Sequence, residues 1–265
     1  MSPRPSDAAV EQRRQDVLRK VIELGEVRID DLTESFGVSL MTMHRDLDDL
    51  AARRLLRKLR GKVAAYPALT METAKRFREG LNLPYKEALC ERAAAEVHSG
   101  QTVFLDDSTT LFPLANRLSR VDHLVVITNS LTVARIVGEG PAEGTEVILL
   151  GGRYTEFDSC IGPDVLAGLE RMRSDVGFVS VTAVAGGRLY HPVRDYADLK
   201  TAMLASVNRP VLVVDHTKFG RTATYAHGDA GDFALVVTDE KTPADEVDAM
   251  RELGTTVETV AVKEV

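Results

Sequence analysis

Apolar positions in the first sixty residues recur at the three- and four-residue spacing of helix faces. In 10–24, Val10, Val17, Leu18, Val21, Ile22 and Leu24 share a broad apolar face that also contains Arg14. Gly25 suits the residue that ends this helix. Val27, Arg28 and Ile29 read as a short extended piece, Asp30 as the cap of a second helix carrying Leu32 and Phe36, and Gly37 as the turn after it. In 38–59, Ser39 is placed to cap a third helix, and Met43, Leu47 and Leu50 fall on one stripe that faces a core. Met41, Arg45 and Asp48 lie on the opposite side, with Thr42 and His44 on the flanks. Basic and apolar residues then interleave from Arg53 to Val63 around Gly61, which suits a β-hairpin wing.

Beyond residue 100 the pattern changes. A helix over 85–99, with Ala88, Leu89, Ala93 and Val97 inward, stops at Gly100. Continuous apolar, β-branched runs then predict strands at 102–106, 124–128, 146–150, 176–181, 210–214 and 234–238. They alternate with helices at 111–118, 131–137, 165–173, 196–207 and 244–253. Runs of this kind between amphipathic helices indicate a mostly parallel sheet covered on both faces. The stretch 64–84, with Pro67, Gly80, Pro84 and a charged segment at 71–79, reads as a hinge with a short helix. The expected organisation is a small winged helix-turn-helix domain (7–66), a linker (67–84) and an α/β domain (85–265).

Charge sharpens this picture. The chain carries −7 overall, but residues 1–66 hold 13 basic and 11 acidic residues, and 40–66 hold 7 against 3. A basic tip on an acidic body permits contact with phosphates. No apolar run approaches the roughly 18 residues of a membrane span, and the first residues lack a signal peptide's apolar core. Two cysteines, Cys90 and Cys160, cannot build a disulfide framework, so a cytoplasmic location is expected.

A short exposed helix face of Arg, His, Thr and Met suits a DNA major groove, where Arg pairs with guanine and Thr or Met touches a thymine methyl. Ser39, Met41, Thr42, His44 and Arg45 are the expected readers of double-stranded DNA. Arg57, Lys58, Arg60 and Lys62 are the expected wing contacts to phosphate. In a parallel sheet, ligands bind beyond the carboxyl ends of the strands. Polar groups follow four of the expected strands: Asp106 to Thr110, Thr128 to Ser130, Gly151 to Arg153, and Asp215 to Gly220. Ser108, Thr109 and Thr110 suit an anion at a helix start, and Gly151 and Gly152 a close backbone approach. Asp106 and Asn129 suit sugar hydroxyls, and Lys200 and Lys218 an anionic group. No cofactor is expected, and no metal, because Asp215 and His216 are adjacent, so that on a strand their side chains point to opposite faces, and neither cysteine has paired ligands at metal-site spacing.

These residues resemble a family. Asp31-Leu32, Phe36-Gly37-Val38-Ser39, Thr42, Arg45-Asp46-Leu47, Leu50 and Leu55-Leu56-Arg57 look like the DeoR-type bacterial transcription regulators, with His44-Arg45 where the family usually has two arginines. Phe104-Leu105-Asp106, Thr109-Thr110, Val126 to Leu131, Leu150-Gly151-Gly152, Ile161-Gly162, Lys200 with Ala202-Met203, and Asp215 to Gly220 look like that family's sensor domain. The resemblance implies an isomerase-like sensor for phosphorylated sugars, and on it Asp106, Thr109, Thr110, Asn129, Gly151, Gly152, Lys200 and Lys218 are carried over as its site. It implies a repressor of carbohydrate metabolism that binds operator DNA as a homodimer or homotetramer, away from membranes. Asp107-Ser108 stands where the family has Ser/Ala-Gly, and Thr182-Ala183 where it has Asp-Gly. These departures, with Tyr190, His191 and Arg194 as alternative lining, admit a different sugar phosphate or a sugar acid as effector.

Two other readings differ in class. An active sugar-phosphate isomerase with an appended DNA-binding domain needs a positioned base, and Thr182 cannot supply the one the family pattern would place there. A constitutive DNA-binding scaffold would hold DNA with an affinity indifferent to metabolites.

Overall fold

The computed structural model describes residues 7–53, 55–64, 78–155 and 157–262. The segment 65–77, which carries most of the expected hinge and its short helix, lies outside them. The chain divides into two compact units, Met1–Leu81 and Asn82–Val265.

The first unit is three helices and a wing: α1 (Asp7–Leu24), β1 (Glu26–Arg28), α2 (Ile29–Phe36), α3 (Leu40–Ala52), β2 (Arg57–Leu59) and β3 (Lys62–Ala64). Its core is formed by Val17, Leu18, Val21, Leu32, Met43, Leu47, Leu50, Leu56 and Val63. The strands form one antiparallel sheet in the order β1-β3-β2, so the piece before α2 completes the wing. Asp30 is not the cap of α2. The N-cap is Arg28, with no side-chain bond, and Asp30 and Asp31 lie in the first turn, where carboxylates complement the free N–H groups. Gly37 closes α2 in the left-handed conformation, at φ 59°, which an L side chain adopts only with strain. Ser39 caps α3 by accepting from the Thr42 amide at 3.2 Å.

The second unit is built on a seven-stranded sheet. Its helices are α4 (Leu83–Ala94), α5 (Phe112–Leu118), α6 (Leu131–Gly138), α7 (Pro163–Glu170), α8 (Arg194–Ala205) and α9 (Ala244–Glu252). The sheet contains β4 (Thr102–Leu105), β5 (Val125–Thr128), β6 (Glu146–Leu149), β9 (Ser174–Val179), β12 (Val207–Val213), β14 (Leu235–Asp239) and β15 (Thr256–Val260). The order is β15-β14-β12-β9-β4-β5-β6, and every pairing is parallel. Side chains alternate between the faces. Val103, Leu105, Val126, Phe178 and Val213 pack with α4, α5 and α6. Phe104 and Ile127 pack with α7 and α8 on the other face, where Leu212 and Val236 meet α9.

Three features depart from the expected pattern. A seventh strand, β15, forms one edge. The hairpin of β7 (Arg153–Thr155) and β8 (Ser159–Ile161) and the small sheet of β10 (Ala183–Ala185), β11 (Arg188–His191) and β13 (Tyr225–Asp229) are antiparallel additions. The helix expected over 85–99 begins at Leu83 and ends at Ala94. In addition, Asp215 and His216 do not extend a strand, because β12 ends at Val213 and Asp215 caps a 3-10 turn, His216–Lys218.

Candidate functional site: a groove-reading helix and a strand-end sensor site

On α3 the apolar stripe is buried and the opposite face is open. Met43, Leu47 and Leu50 are buried, whereas Ser39, Met41 and Arg45 are exposed and Thr42 and His44 half-exposed. Among the described residues Arg45 has only a 3.8 Å contact to the Met41 sulfur, so its guanidinium stays available. The wing cations divide. Lys58 pairs with Asp48 at 2.6 Å and Lys62 with Glu26 at 2.7 Å, while Arg57 and Arg60 are exposed and have no ion pair among the described residues. Exposed pairs of this kind are weak enough for phosphate to displace.

The unit also contains a buried charge cluster. Asp46 is 2% exposed and accepts from Arg13 Nε at 2.7 Å and Arg14 Nε at 3.1 Å. Arg14, the one cation in the apolar face of α1, is there for this carboxylate. The acidic residue beside Arg45 therefore locks α3 to α1 and does not face outward.

In the second unit the strand ends carry the expected polar groups, but their bonds redistribute the roles. Asp106 is fully buried. Its Oδ1 accepts from the Ser108 amide at 2.8 Å, and its Oδ2 from the Ser180 amide at 2.9 Å and from Lys200 Nζ at 2.5 Å. Lys200 also donates to the Ser180 carbonyl at 2.8 Å. Asp106, expected as a sugar-hydroxyl acceptor, and Lys200, expected as an anion neutraliser, are bonded to each other in this structure. They neutralise each other and fix the turn after β4. Gly152 is also explained by packing, since a Cβ there would stand 2.8 Å from the Ile161 carbonyl and the Val165 side chain. Gly151 is exposed, and a Cβ there meets nothing within 4 Å.

The remaining candidates gather around the turn. Ser108 is half-buried, while Thr109 and Thr110 are buried in a 3-10 turn, Thr109–Leu111. Lys86 of α4, only 3% exposed, donates to Thr109 Oγ1 at 3.3 Å. This buried cation is the functional candidate that sequence reasoning missed, because a Lys among Tyr85, Glu87 and Ala88 looks like a solvated helix position. Asp215 accepts from the Thr217 amide at 3.0 Å and from Asn82 Nδ2 at 3.3 Å. Burial works against the Asp215 charge, but Lys218, Thr217 and Lys86 outweigh it and hold its carboxyl below the usual range. Lys218 is half-exposed at the end of that turn. His216 Nδ1 lies 2.8 Å from Asp239, and its ring stands edge-on to Tyr85 with centroids 4.9 Å apart. Asn129 is fully buried and donates through Nδ2 to the Cys160 carbonyl at 3.2 Å. Among the described residues no cluster of three or more His, Cys, Asp or Glu could hold a metal.

A groove of about 550 Å³ lies elsewhere, lined by Arg188, Thr201, His227, Asp229 and Asp232, among others, and by none of the strand-end residues. His227 is buried there at a β-bulge of β13 opposite β11. Burial pulls its imidazole down to about 3, and the charges of Lys200 and His191 act in the same direction. An unfolded histidine titrates near about 6.5. Between these two values the unfolded chain holds a proton that the folded chain lacks, so the contribution is complete above about 6.5 and is lost as pH falls towards 3. Denaturant unfolding from pH 7.5 to 4.5 is expected to show a loss of stability that His227→Gln reduces. Equal pH slopes in the two proteins would contradict it.

Comparisons with known proteins decide the family. The DeoR-like helix-turn-helix domain model matches residues 13–66, and the DeoR C terminal sensor domain model matches residues 81–240. The chain belongs to the DeoR family. It is 32% identical to the glycerol-3-phosphate regulon repressor of Escherichia coli (strain K12) over 238 residues, covering 88% of this chain and 92% of that protein. It is 31% identical to the HTH-type transcriptional repressor CsqR of the same organism over 234 residues, covering 88% of each. Ribose 5 phosphate isomerase A from Neisseria gonorrhoeae aligns loosely, over 51% of this chain and 52% of its own, at 12% identity and a TM-score of 0.37. This DeoR-family protein is a DNA-binding transcriptional regulator, not an enzyme. No helix among the described residues is long and apolar enough to cross a membrane.

Proposed function

We propose that this regulator represses genes of carbohydrate metabolism from the cytoplasm, and that a phosphorylated sugar or related anionic sugar metabolite governs its hold on operator DNA. The observation that carries the reading is Lys86, a buried cation on the Thr109 hydroxyl at the carboxyl ends of the strands. Lys86 and Lys218 supply positive charge, and Thr109 and Thr110 supply hydroxyls, which together suit a phosphate. Asp106 and Lys200 hold the turn, Asn129 stands at the neighbouring strand end, and Gly151 follows β6, one strand further out. Thr109 and Thr110 are 8% and 4% exposed, so admitting an effector requires the turn and α4 to move. α4 begins where the second unit begins, which gives such a movement a route along the chain.

α3 enters the major groove, with Ser39, Met41, Thr42, His44 and Arg45 facing the bases, and Arg57, Lys58, Arg60 and Lys62 hold phosphates. A homodimer or homotetramer would place paired α3 helices on repeated half-sites. Arg45→Ala is expected to cost about 1–3 kcal/mol at one base pair and to relax specificity there. Binding measured on a set of single-base operator variants checks this, and an equal loss on every variant would remove the base-reading role. For the effector, thermal shift of the full chain against sugar phosphates and sugar acids is the direct test, since a bound ligand stabilises by RT ln(1+[L]/Kd).

A further inference from the structure

Two polar groups beside the β4 turn lack hydrogen-bond partners among the described residues. The Asp107 carboxylate is half-buried in the turn and has no hydrogen bond or ion pair among the described residues. The Asn129 Oδ1 is fully buried and also unpartnered. Its amide orientation is fixed, because Nδ2 donates to the Cys160 carbonyl and so leaves the oxygen as the acceptor. A buried acceptor such as the Asn129 oxygen is rarely left in this state unless something outside the chain satisfies it, while the half-buried Asp107 carboxylate is open to solvent or to a ligand. Both groups stand at neighbouring strand ends, since Leu105 of β4 pairs with Thr128 of β5.

A hydroxyl cluster adjoins them. The Tyr196 hydroxyl lies 2.9 Å from Thr155 Oγ1 and 3.0 Å from Ser159 Oγ, and Ser159 precedes the Cys160 that brackets Asn129. Tyr196 sits one helical turn before Lys200 on α8, on the same face, and Lys200 reaches Asp106. Burial pushes the Tyr196 phenol up to about 12, with the Asp107 charge adding to it and the Ser159 and Thr155 hydroxyls and the charge of Arg153, itself paired with Asp195, working against it, so this hydroxyl stays protonated and can donate.

The surroundings of the turn are therefore divided. Lys86 and Lys218 supply cations on one side. Asp107, the Asn129 oxygen and neutral hydroxyls supply acceptors and exchangeable donors on the other. We propose that Asp107, Asn129 and Tyr196 read the sugar end of the effector, and that Asp107 selects a polyol phosphate monoester over one with a second anionic group. This deepens the effector reading above and rests on it. Hydroxyls donate to Asp107 and to the Asn129 oxygen, whereas a carboxylate in their place meets a like charge and an acceptor with nothing to accept.

The test is calorimetric titration of the full chain with inorganic phosphate and two matched pairs: sn-glycerol 3-phosphate with 3-phosphoglycerate, and sorbitol 6-phosphate with 6-phosphogluconate. In at least one pair the polyol ester should bind tenfold or more tighter than inorganic phosphate and than its carboxylate counterpart. Asp107→Asn, nearly isosteric, should narrow the second gap below threefold. Tyr196→Phe, which keeps the ring packed on Phe157 and His191, should weaken the ester and leave inorganic phosphate unchanged. Esters no tighter than inorganic phosphate, or a gap that Asp107→Asn leaves intact, overturn the proposal while the phosphate site survives. Binding of none of the five compounds overturns the effector reading and this inference with it.

Discussion

Lys200→Met is expected to cost the sensor unit about 3–5 kcal/mol, the usual penalty for removing one member of a buried ion pair. The reason lies in what remains. Asp106 would keep two backbone amides but lose the cation at 2.5 Å, and its carboxylate is fully buried. The Ser180 carbonyl would lose its Lys200 donor as well. Replacing both partners with apolar groups, as in Asp106→Leu with Lys200→Met, removes the stranded charge, although the Ser108 and Ser180 amides lose their acceptor, and is expected to cost less than the sum of the two single changes. Denaturant midpoints of the three proteins check this. A double variant as unstable as the sum of both single changes would show that the pair acts independently and does not neutralise itself.

Asp46→Ala is expected to cost the DNA-binding unit about 2–4 kcal/mol, because hydrogen bonds to charged groups contribute about 1.5–3 kcal/mol each. Arg13 and Arg14 are partly exposed and can turn to water, and Arg14 also meets Asp49 at 3.2 Å, which softens the loss. A unit this small has little stability in reserve. Operator binding should therefore fall sharply, although Asp46 is buried and is not one of the residues proposed to face DNA. Circular dichroism and operator titration check it together, with Asp46→Asn as an intermediate case. Full DNA affinity in a folded Asp46→Ala protein would contradict the role given to the cluster.

These two carboxylates also mark where the sequence stopped being readable. The α3 stripe and the Ser39 cap are local patterns, set by neighbours within one or two helical turns. The parallel strands were legible for a similar reason, since a strand buried on both faces must be apolar throughout. Asp46 and Asp106 answer instead to partners 33 and 94 residues away. Nothing near Asp106 in sequence distinguishes a carboxylate waiting for a sugar from one already neutralised by a lysine. Lys86 was missed because its partner, Thr109, lies 23 residues away. β15 was missed because Thr256–Val260 is an edge strand whose polar positions break the apolar run. The β10-β11-β13 sheet is made of three- to five-residue pieces too short to show a period.

For the two units to work as one switch, a small anionic compound at the strand ends must alter how tightly α3 holds its operator. The measurement that bears on this most directly is operator affinity of the full chain, on a duplex enriched from random sequence, with and without each compound of the phosphate panel. A binding compound is expected to shift that affinity by roughly 5–150-fold, the usual range of coupling, and Lys86→Met is expected to abolish the shift while leaving DNA affinity without ligand intact. An operator affinity that stays the same when the strand-end site is saturated would contradict the coupling.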